Sequence, residues 1–161
     1  MGEKELKYTK ALDYINNLLH GETDAISMMA TIVCVLKDSF ATFSWVGFYR
    51  VVGSKLLKIG PYQGVKGCIE IAFDRGVCGK CATDKQTQIV GDVTKIQYHI
   101  ACSQETRSEI VVPVFNNKKN LIAVLDVDSN KLDNFDELDK NYLESICALF
   151  EKTKNKKLDL F

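Results

Sequence analysis

The chain has 161 residues, of which 46% are hydrophobic and 26% are charged, and 21 Lys and Arg residues balance 21 Asp and Glu residues. This composition predicts a single domain over 1–161, with a core large enough to fold without cross-links. A formal charge of zero argues against binding to a phosphate backbone, so nucleic acid is not an expected partner. Neither a signal peptide nor an apolar run of roughly 18 residues is recognisable, so we expect a cytoplasmic protein without membrane contact.

The predicted elements begin with two amphipathic helices in the first forty residues, separated at Gly21. Two hairpins follow, with a long irregular segment between them, and an amphipathic helix closes the chain. The hairpins cover 43–59 and 110–127, the irregular segment 60–107, and the last helix 135 to about 152. Within the irregular segment we predict a short apolar run at 69–73 and a short helix at 77–84. Such long irregular stretches are usually functional.

Helices at both ends of a run of hairpin-connected strands predict an α+β fold. We expect a central antiparallel sheet with the N- and C-terminal helices on one face. The irregular segment would then cover the opposite face. A cavity between that segment and the sheet is where chemistry is expected.

Two carboxylates stand at the end of the second strand of the second hairpin. Because strand side chains alternate, Asp126 and Asp128 point to one face together with Ile122, while Leu121 points to the other. We expect the acidic face to lie on the loop side, where Glu109 of the neighbouring strand can join it. Carboxylates at close quarters repel, so one should keep its proton and act as a general acid, and the group could bind an ammonium. The alternative is a strand end that reaches solvent.

Six cysteines in a chain expected to stay in a reducing compartment are more typical of catalysis or metal binding than of cross-links. Cys34 and Cys147 lie inside apolar helical patterns and are interpreted as core residues. The other four cluster between positions 68 and 102. Among them, Cys78 falls in the first turn of the short predicted helix, where exposed amides and the helix dipole would lower the pKa of its thiol.

The C-x-x-C motif formed by Cys78 and Cys81 suits a redox dithiol. With His99 and Cys102 it would also make a chemically acceptable zinc site. The second half of that set lacks the usual zinc-finger spacing, so no metal is expected. His99 is either a structural residue or a group that stabilises a Cys102 thiolate.

Trp45 is the sole tryptophan of the chain, and Tyr49 lies four residues later on the same strand face. The pair is either part of the sheet core or one wall of a pocket for a small amphipathic ligand. In the second case the rings would hold the apolar or sulfur-bearing end of that ligand.

Six short motifs follow one another along the chain: Ser44-Trp-Val-Gly-Phe-Tyr49, Gly60-Pro-Tyr-Gln-Gly64, Gly76-Val-Cys-Gly79, His99-Ile-Ala-Cys102, Ser108-Glu-Ile-Val-Val-Pro113 and Val124-Leu-Asp-Val-Asp128. Together they resemble the free methionine-(R)-sulfoxide reductases, single-domain enzymes with the GAF fold. The likeness runs from about Lys10 to Phe150. It implies a GAF-like fold and reduction of free methionine (R)-sulfoxide by thiols, with thioredoxin as electron donor and no metal or organic cofactor.

The resemblance also implies roles for individual residues. The three cysteines of the family correspond to Cys68, Cys78 and Cys102, its substrate-binding acids to Glu109, Asp126 and Asp128, and its pocket tryptophan to Trp45. Tyr49 would line the same pocket.

In the implied mechanism, a thiolate attacks the sulfoxide sulfur while Glu109 or Asp126 supplies a proton to the departing oxygen. A second thiol converts the resulting sulfenic acid to a disulfide, which thioredoxin reduces. We expect Cys102 to attack and Cys68 to resolve, with Cys78 a candidate for either step.

Cys81 departs from the family, which has a small residue at this position. Cys81 could pair with Cys78, act as an extra resolving thiol or fill buried space, and the last interpretation is preferred.

The alternative function is a GAF module that senses a small ligand without catalysis. Such modules are normally fused to an output domain, for which this chain leaves no residues. The sequence is compatible with a homodimer.

Overall fold

The computed structural model describes residues 2–97 and 104–152, and over these residues it contains one antiparallel sheet between two sets of helices. The helices are α1 (Glu3–Leu18), α2 (Ala25–Ser39), α3 (Gly76–Asp84), α4 (Glu137–Cys147) and α5 (Leu149–Lys152), with a 3-10 turn at Val93–Lys95. The strands are β1 (Trp45–Val51), β2 (Leu56–Gln63), β3 (Glu70–Ala72), β4 (Gln88–Val90), β5 (Ser108–Phe115) and β6 (Leu121–Ser129).

The strand order across the sheet is β3-β2-β1-β6-β5-β4. Both predicted hairpins, β1 with β2 and β5 with β6, are confirmed. The two hairpins join through the antiparallel pairing of β1 with β6, which are therefore the central strands. The apolar run at 69–73 contains the edge strand β3, and the opposite edge strand, β4, was not predicted.

One face of the sheet packs on α2 and α4, and α1 packs on these two helices from the outside, so the terminal helices lie on one face as predicted. The core between them includes Ile15, Met29, Phe48 and Phe150, none of which is exposed. Burial of each such side chain contributes about 1.5–3 kcal/mol to the free energy of folding. The terminal helices therefore hold the sheet from one side and leave its other face for the site.

The first and fourth helices are also joined by a buried polar contact. Asp139 of α4 is fully buried. Its carboxylate accepts a hydrogen bond of 2.7 Å from the Tyr8 hydroxyl and forms an ion pair with Lys4. Its carboxylate also accepts a hydrogen bond from the backbone amide of Asp136, the residue that caps α4. This contact anchors the N-terminal helix to the C-terminal one.

The opposite face is covered by α3 and by the segment that joins β2 to β3. Its smaller core contains Trp45 and Tyr49 from β1, Cys78 from α3, and Val111 and Val124 from β5 and β6. The predicted helix at 77–84 is thus confirmed, and so is the expected arrangement of terminal helices on one face and an irregular segment on the other.

Two details of the sequence prediction were wrong. Cys34 is exposed, because α2 buries the stripe that includes Ile32, Val33 and Leu36 and turns position 34 outward. The alternation in β6 fails at its first two residues, since a register shift puts Ile122 in the core under the terminal helices and Leu121 against the opposite core.

The closing helix differs from its prediction as well. It is interrupted at Ala148, whose amide donates to the carbonyl groups of Glu144 and Ile146 in a tightened turn. Cys147, just before the interruption, is buried as predicted. Within the described residues, no helix is both long enough and apolar enough to cross a bilayer.

Candidate active site

Three carboxylates meet on the face of the sheet that α3 covers. Asp126 lies opposite Gly47 of β1, and Asp128 lies opposite both Trp45 and Glu109 across its two neighbouring strands. Glu109 is 6% exposed and Asp126 is 7% exposed. The prediction that these carboxylates share the loop-side face is confirmed, and the alternative of a solvated strand end is wrong.

Burial governs the protonation of these groups. It raises the pKa of Asp126 from its usual 3.8 to about 7, although hydrogen bonds with Cys78 and Glu109 act in the opposite direction. Burial and the charge of Asp126 raise the pKa of both Glu109 and Asp128 well above the usual range. Near neutral pH both the protonated and the ionised form of Asp126 are therefore populated, so this residue can act as a general acid and can also supply a negative charge.

One oxygen of this group is unsatisfied. The Oδ1 atom of Asp126 is buried and has no hydrogen-bond partner among the described residues. A buried carboxylate oxygen without a partner is costly, so its retention favours a role for a ligand that donates a hydrogen bond. A protonated amine is such a donor.

Cys78 adds a thiol to the carboxylate group. It lies in the first turn of α3, is 3% exposed, and makes a side-chain hydrogen bond with Asp126. Burial, followed by the nearby charges of Asp126 and Glu109, raises the pKa of this thiol well above its usual value. The expected lowering by the helix N-terminus is therefore wrong, because desolvation and two carboxylates outweigh the helix dipole.

The donor atoms of Cys78, Glu109 and Asp126 lie within 4.8 Å of one another, so these three side chains could together hold a metal ion. This set differs from the zinc ligands considered from the sequence. Cys81 turns away and donates its thiol hydrogen to the Val111 carbonyl at 3.5 Å. It is fully buried, which agrees with the prediction of a space-filling residue.

Cys68 is the described cysteine that forms a disulfide, whereas Cys34, Cys78, Cys81 and Cys147 are free. Its backbone amide donates a hydrogen bond to the Tyr49 hydroxyl, which fixes the loop that carries it over the site. The predicted nucleophile Cys102 and its neighbour His99 lie outside the described residues.

Trp45 and Tyr49 belong to the core on the α3 side of the sheet, as the first of the two alternatives predicts, and the stack that they begin, the aromatic wall, extends to a third ring. That these rings also line a ligand pocket stays a prediction. The ring of Trp45 stacks on Tyr49 at a centroid distance of 5.7 Å and on Tyr62 at 5.3 Å. The Trp45 indole donates a hydrogen bond of 3.0 Å to the Val65 carbonyl. The sequence prediction missed Tyr62, because its contact with Trp45 depends on the pairing register of β1 and β2.

Glycines allow the chain to approach these rings. A Cβ atom at Gly47 would lie 2.4 Å from the Trp45 ring, and one at Gly64 would lie 2.6 Å from it. Gly64 also has a φ of +134°, which disfavours any other residue. These positions hold the loop against the indole, so they shape the aromatic side of the site.

The comparisons with known proteins agree with this fold. The sequence-family model of the GAF domain matches residues 20–151 of this chain. GAF domain-containing protein A of Dictyostelium discoideum is 45% identical to it, and the alignment covers 93% of this chain and 94% of that protein. The chain therefore belongs to the GAF domain family.

Two further relatives narrow the class. The free methionine-R-sulfoxide reductase of Saccharomyces cerevisiae is 45% identical over 73% of this chain and 66% of its own length. A crystal structure shows the free methionine-R-sulfoxide reductase from Neisseria meningitidis in complex with its substrate. It superposes on this chain with a TM-score of 0.89 at 42% sequence identity, and the superposition covers 95% of this chain and 91% of that enzyme's chain. Within the GAF domains, the chain belongs with the free methionine-R-sulfoxide reductases.

Proposed function

We propose that this chain reduces free methionine (R)-sulfoxide to methionine by thiol chemistry. The observation that carries the proposal is the group of buried carboxylates beside the aromatic wall, in which Asp126 keeps an unpartnered oxygen. The relatives named as free methionine-R-sulfoxide reductases place the chain among oxidoreductases acting on methionine sulfoxide. The stereochemistry, the thiol steps and the electron donor are proposals beyond that.

The carboxylates select the free amino acid. Free methionine sulfoxide carries an ammonium group that a peptide-bound residue lacks, and Glu109, Asp126 and Asp128 offer it both counter-charge and hydrogen-bond acceptors. The stacked rings of Trp45 and Tyr49 lie on the neighbouring strand and provide an apolar surface for the side chain of the substrate. Because the carboxylates are buried, loss of the ammonium contact should be expensive.

The chemical step transfers the sulfoxide oxygen to a thiol. The thiolate of Cys102 attacks the sulfoxide sulfur, a proton from Glu109 or Asp126 reaches the oxygen, methionine leaves, and a cysteine sulfenic acid remains. The raised pKa of Asp126, about 7, suits a group that gives up a proton near neutral pH. Cys78 is the weaker candidate for attack, since burial and two carboxylates keep its thiol protonated.

Regeneration uses a second thiol and an external reductant. Cys68 attacks the sulfenic acid, water leaves, and a disulfide with Cys102 forms. The disulfide that Cys68 makes in this structure supports its assignment as the resolving residue. Thioredoxin then reduces the disulfide by exchange, which is the ordinary route in a reducing compartment such as the cytoplasm. No organic cofactor enters these steps.

The test couples the protein to thioredoxin, thioredoxin reductase and NADPH, and follows NADPH loss with each epimer of free methionine sulfoxide. We expect turnover with the R epimer and little with the S epimer. Methionine released without reductant identifies the thiols: Cys102→Ser should release none, Cys68→Ser one per chain, and the exposed control Cys34→Ser the wild-type amount. Full release by Cys102→Ser together with none by Cys78→Ser would instead make Cys78 the nucleophile.

A further inference from the structure

We propose that a protein dithiol docks on an exposed apolar surface around Cys68 and attacks the Cys68 sulfur. This surface, the Cys68 face, consists of Tyr62, Val65, Cys68 and Ile69. The inference rests on the proposed function and deepens it, because it names the sulfur that the reductant attacks and the surface by which it binds.

The first argument is access to sulfur. Cys68 is half-buried and disulfide-bonded, so part of a redox-active residue reaches the surface. Cys78 and Cys81 are 3% and 0% exposed, and both are free thiols. Thiol–disulfide exchange requires the attacking sulfur to contact the disulfide, and a protein cannot follow a small substrate into a buried site. Among the described cysteines, only Cys68 offers a protein reductant a disulfide sulfur.

The second argument is the surface around that sulfur. Val65 is 61% exposed, Ile69 is 56% exposed and Tyr62 is 39% exposed, all within eight positions of the chain. Clustered exposed apolar residues are characteristic of protein interaction sites, whereas isolated ones are ordinary. Here the exposed residues lie on both sides of Cys68 in the sequence, which favours a reductant with an apolar face around its own attacking thiol.

The third argument is that the Cys68 face is held in place. Tyr62 stacks on Trp45, and the Val65 carbonyl accepts the indole hydrogen bond of 3.0 Å. The Cys68 amide donates to the Tyr49 hydroxyl, and the Ile69 carbonyl accepts a hydrogen bond of 3.0 Å from the amide of Ile59. A preorganised surface loses less entropy when a partner binds, so it is better suited to docking than a free loop.

The exchange balances as two successive substitutions at sulfur. A thiolate of the reductant attacks the sulfur of Cys68, the disulfide bond of Cys68 breaks, and the cysteine on the other side of that bond leaves with the electron pair as a thiolate. The second thiolate of the reductant then attacks the first sulfur of the reductant, which is bonded to Cys68 in the mixed disulfide. This attack releases Cys68 as a thiolate. The reductant gains a disulfide and loses two electrons, and this chain recovers two thiols.

Trapping tests which sulfur is attacked, and it needs no sulfoxide. The oxidised protein is mixed with thioredoxin whose second active-site cysteine is replaced by serine, and the mixed disulfide is located by peptide mass spectrometry. We expect it on Cys68; a mixed disulfide on Cys102 or Cys78 would overturn the proposal. Because this arm is independent of catalysis, its failure is distinguishable from failure of the proposed function.

Steady-state kinetics test the surface. Ile69→Asp places a charge on the Cys68 face, and Leu132→Asp is the matched control, since Leu132 is 55% exposed and is not one of the four residues of this face. With thioredoxin as reductant, Ile69→Asp should lower kcat/KM for thioredoxin about tenfold or more, as expected at an interface hot spot. Ile69→Leu and Leu132→Asp should both stay near wild type.

Dithiothreitol provides the internal reference for these variants, because it needs no docking surface. Its rate with Ile69→Asp should equal that of the wild type. Unchanged thioredoxin kinetics in Ile69→Asp, or an equal loss with thioredoxin and with dithiothreitol, would overturn the proposal.

Discussion

Replacement of Asp126 by asparagine should stabilise the fold and abolish efficient catalysis at once. Asp126 is 7% exposed, one of its oxygens has no hydrogen-bond partner within the described residues, and Glu109 and Asp128 lie close to it. Asn keeps the shape of the side chain but carries no charge and no exchangeable acidic proton. The variant therefore separates what this residue does for the reaction from what it costs the native state.

The sign of the stability effect follows from the pKa. Folding raises the pKa of Asp126 from 3.8 to about 7, so between these pH values the unfolded chain has released a proton that the folded chain retains. The free energy of unfolding consequently falls as pH rises through that window and then levels off. At about 1.4 kcal/mol per pH unit, the loss above pH 7 approaches roughly 4 kcal/mol.

The measurable gain in Asp126→Asn should be smaller, about 2 kcal/mol at pH 8, because a neutral amide oxygen accepts the hydrogen bonds from Cys78 and Glu109 less strongly than a carboxylate does. Near pH 4 the difference from wild type should vanish or reverse. Urea unfolding from pH 4 to 8 measures this, with the disulfide state held constant and the exposed Asp13→Asn as control. Turnover should fall about 10²–10⁴-fold. A variant that is less stable than wild type by the same amount at every pH would refute the reasoning.

Four further substitutions, one of them a control, test the packing. Cys147→Ser should lower the free energy of unfolding by about 1–3 kcal/mol because it buries a hydroxyl, whereas the exposed Cys34→Ser should change it by less than about 0.5 kcal/mol; equal thermal shifts would contradict the burial assignment. Gly79→Ala should cost about 1–3 kcal/mol in urea unfolding, since its Cβ would lie 2.4 Å from the Ala72 carbonyl oxygen; wild-type stability would argue against this close contact. Cys81→Ala should cost about 1 kcal/mol for a lost buried thiol contact and leave turnover unchanged, and a large fall in rate would make Cys81 a participant.

The positions of the site residues could be predicted from the sequence wherever the strand pattern is regular. Alternation in β6 placed Asp126 and Asp128 on one face, and pairing of the second hairpin brought Glu109 to them. The shared face of Trp45 and Tyr49 followed from the same period of two. Local periodicity is enough for such features because the direction of a strand side chain depends on its own backbone.

Features that depend on tertiary contacts were not predictable in this way. The raised pKa of Cys78 comes from burial and from carboxylates on two other strands, so the helix position alone gave the wrong direction. Cys34 sits next to the buried stripe of α2, where one residue of rotation decides exposure. The swap of Leu121 and Ile122 comes from a register shift against β5 that the composition does not encode.

The most direct test of the account compares two substrates that differ only at the amine. Free methionine (R)-sulfoxide and its N-acetyl derivative present the same sulfoxide, but only the first carries the ammonium group for the buried carboxylates around Asp126. We predict that kcat/KM is at least about 100-fold higher for the free amino acid, the size expected when a buried charge loses its partner. Equal values for the two substrates would contradict the assignment of these carboxylates as the ammonium site.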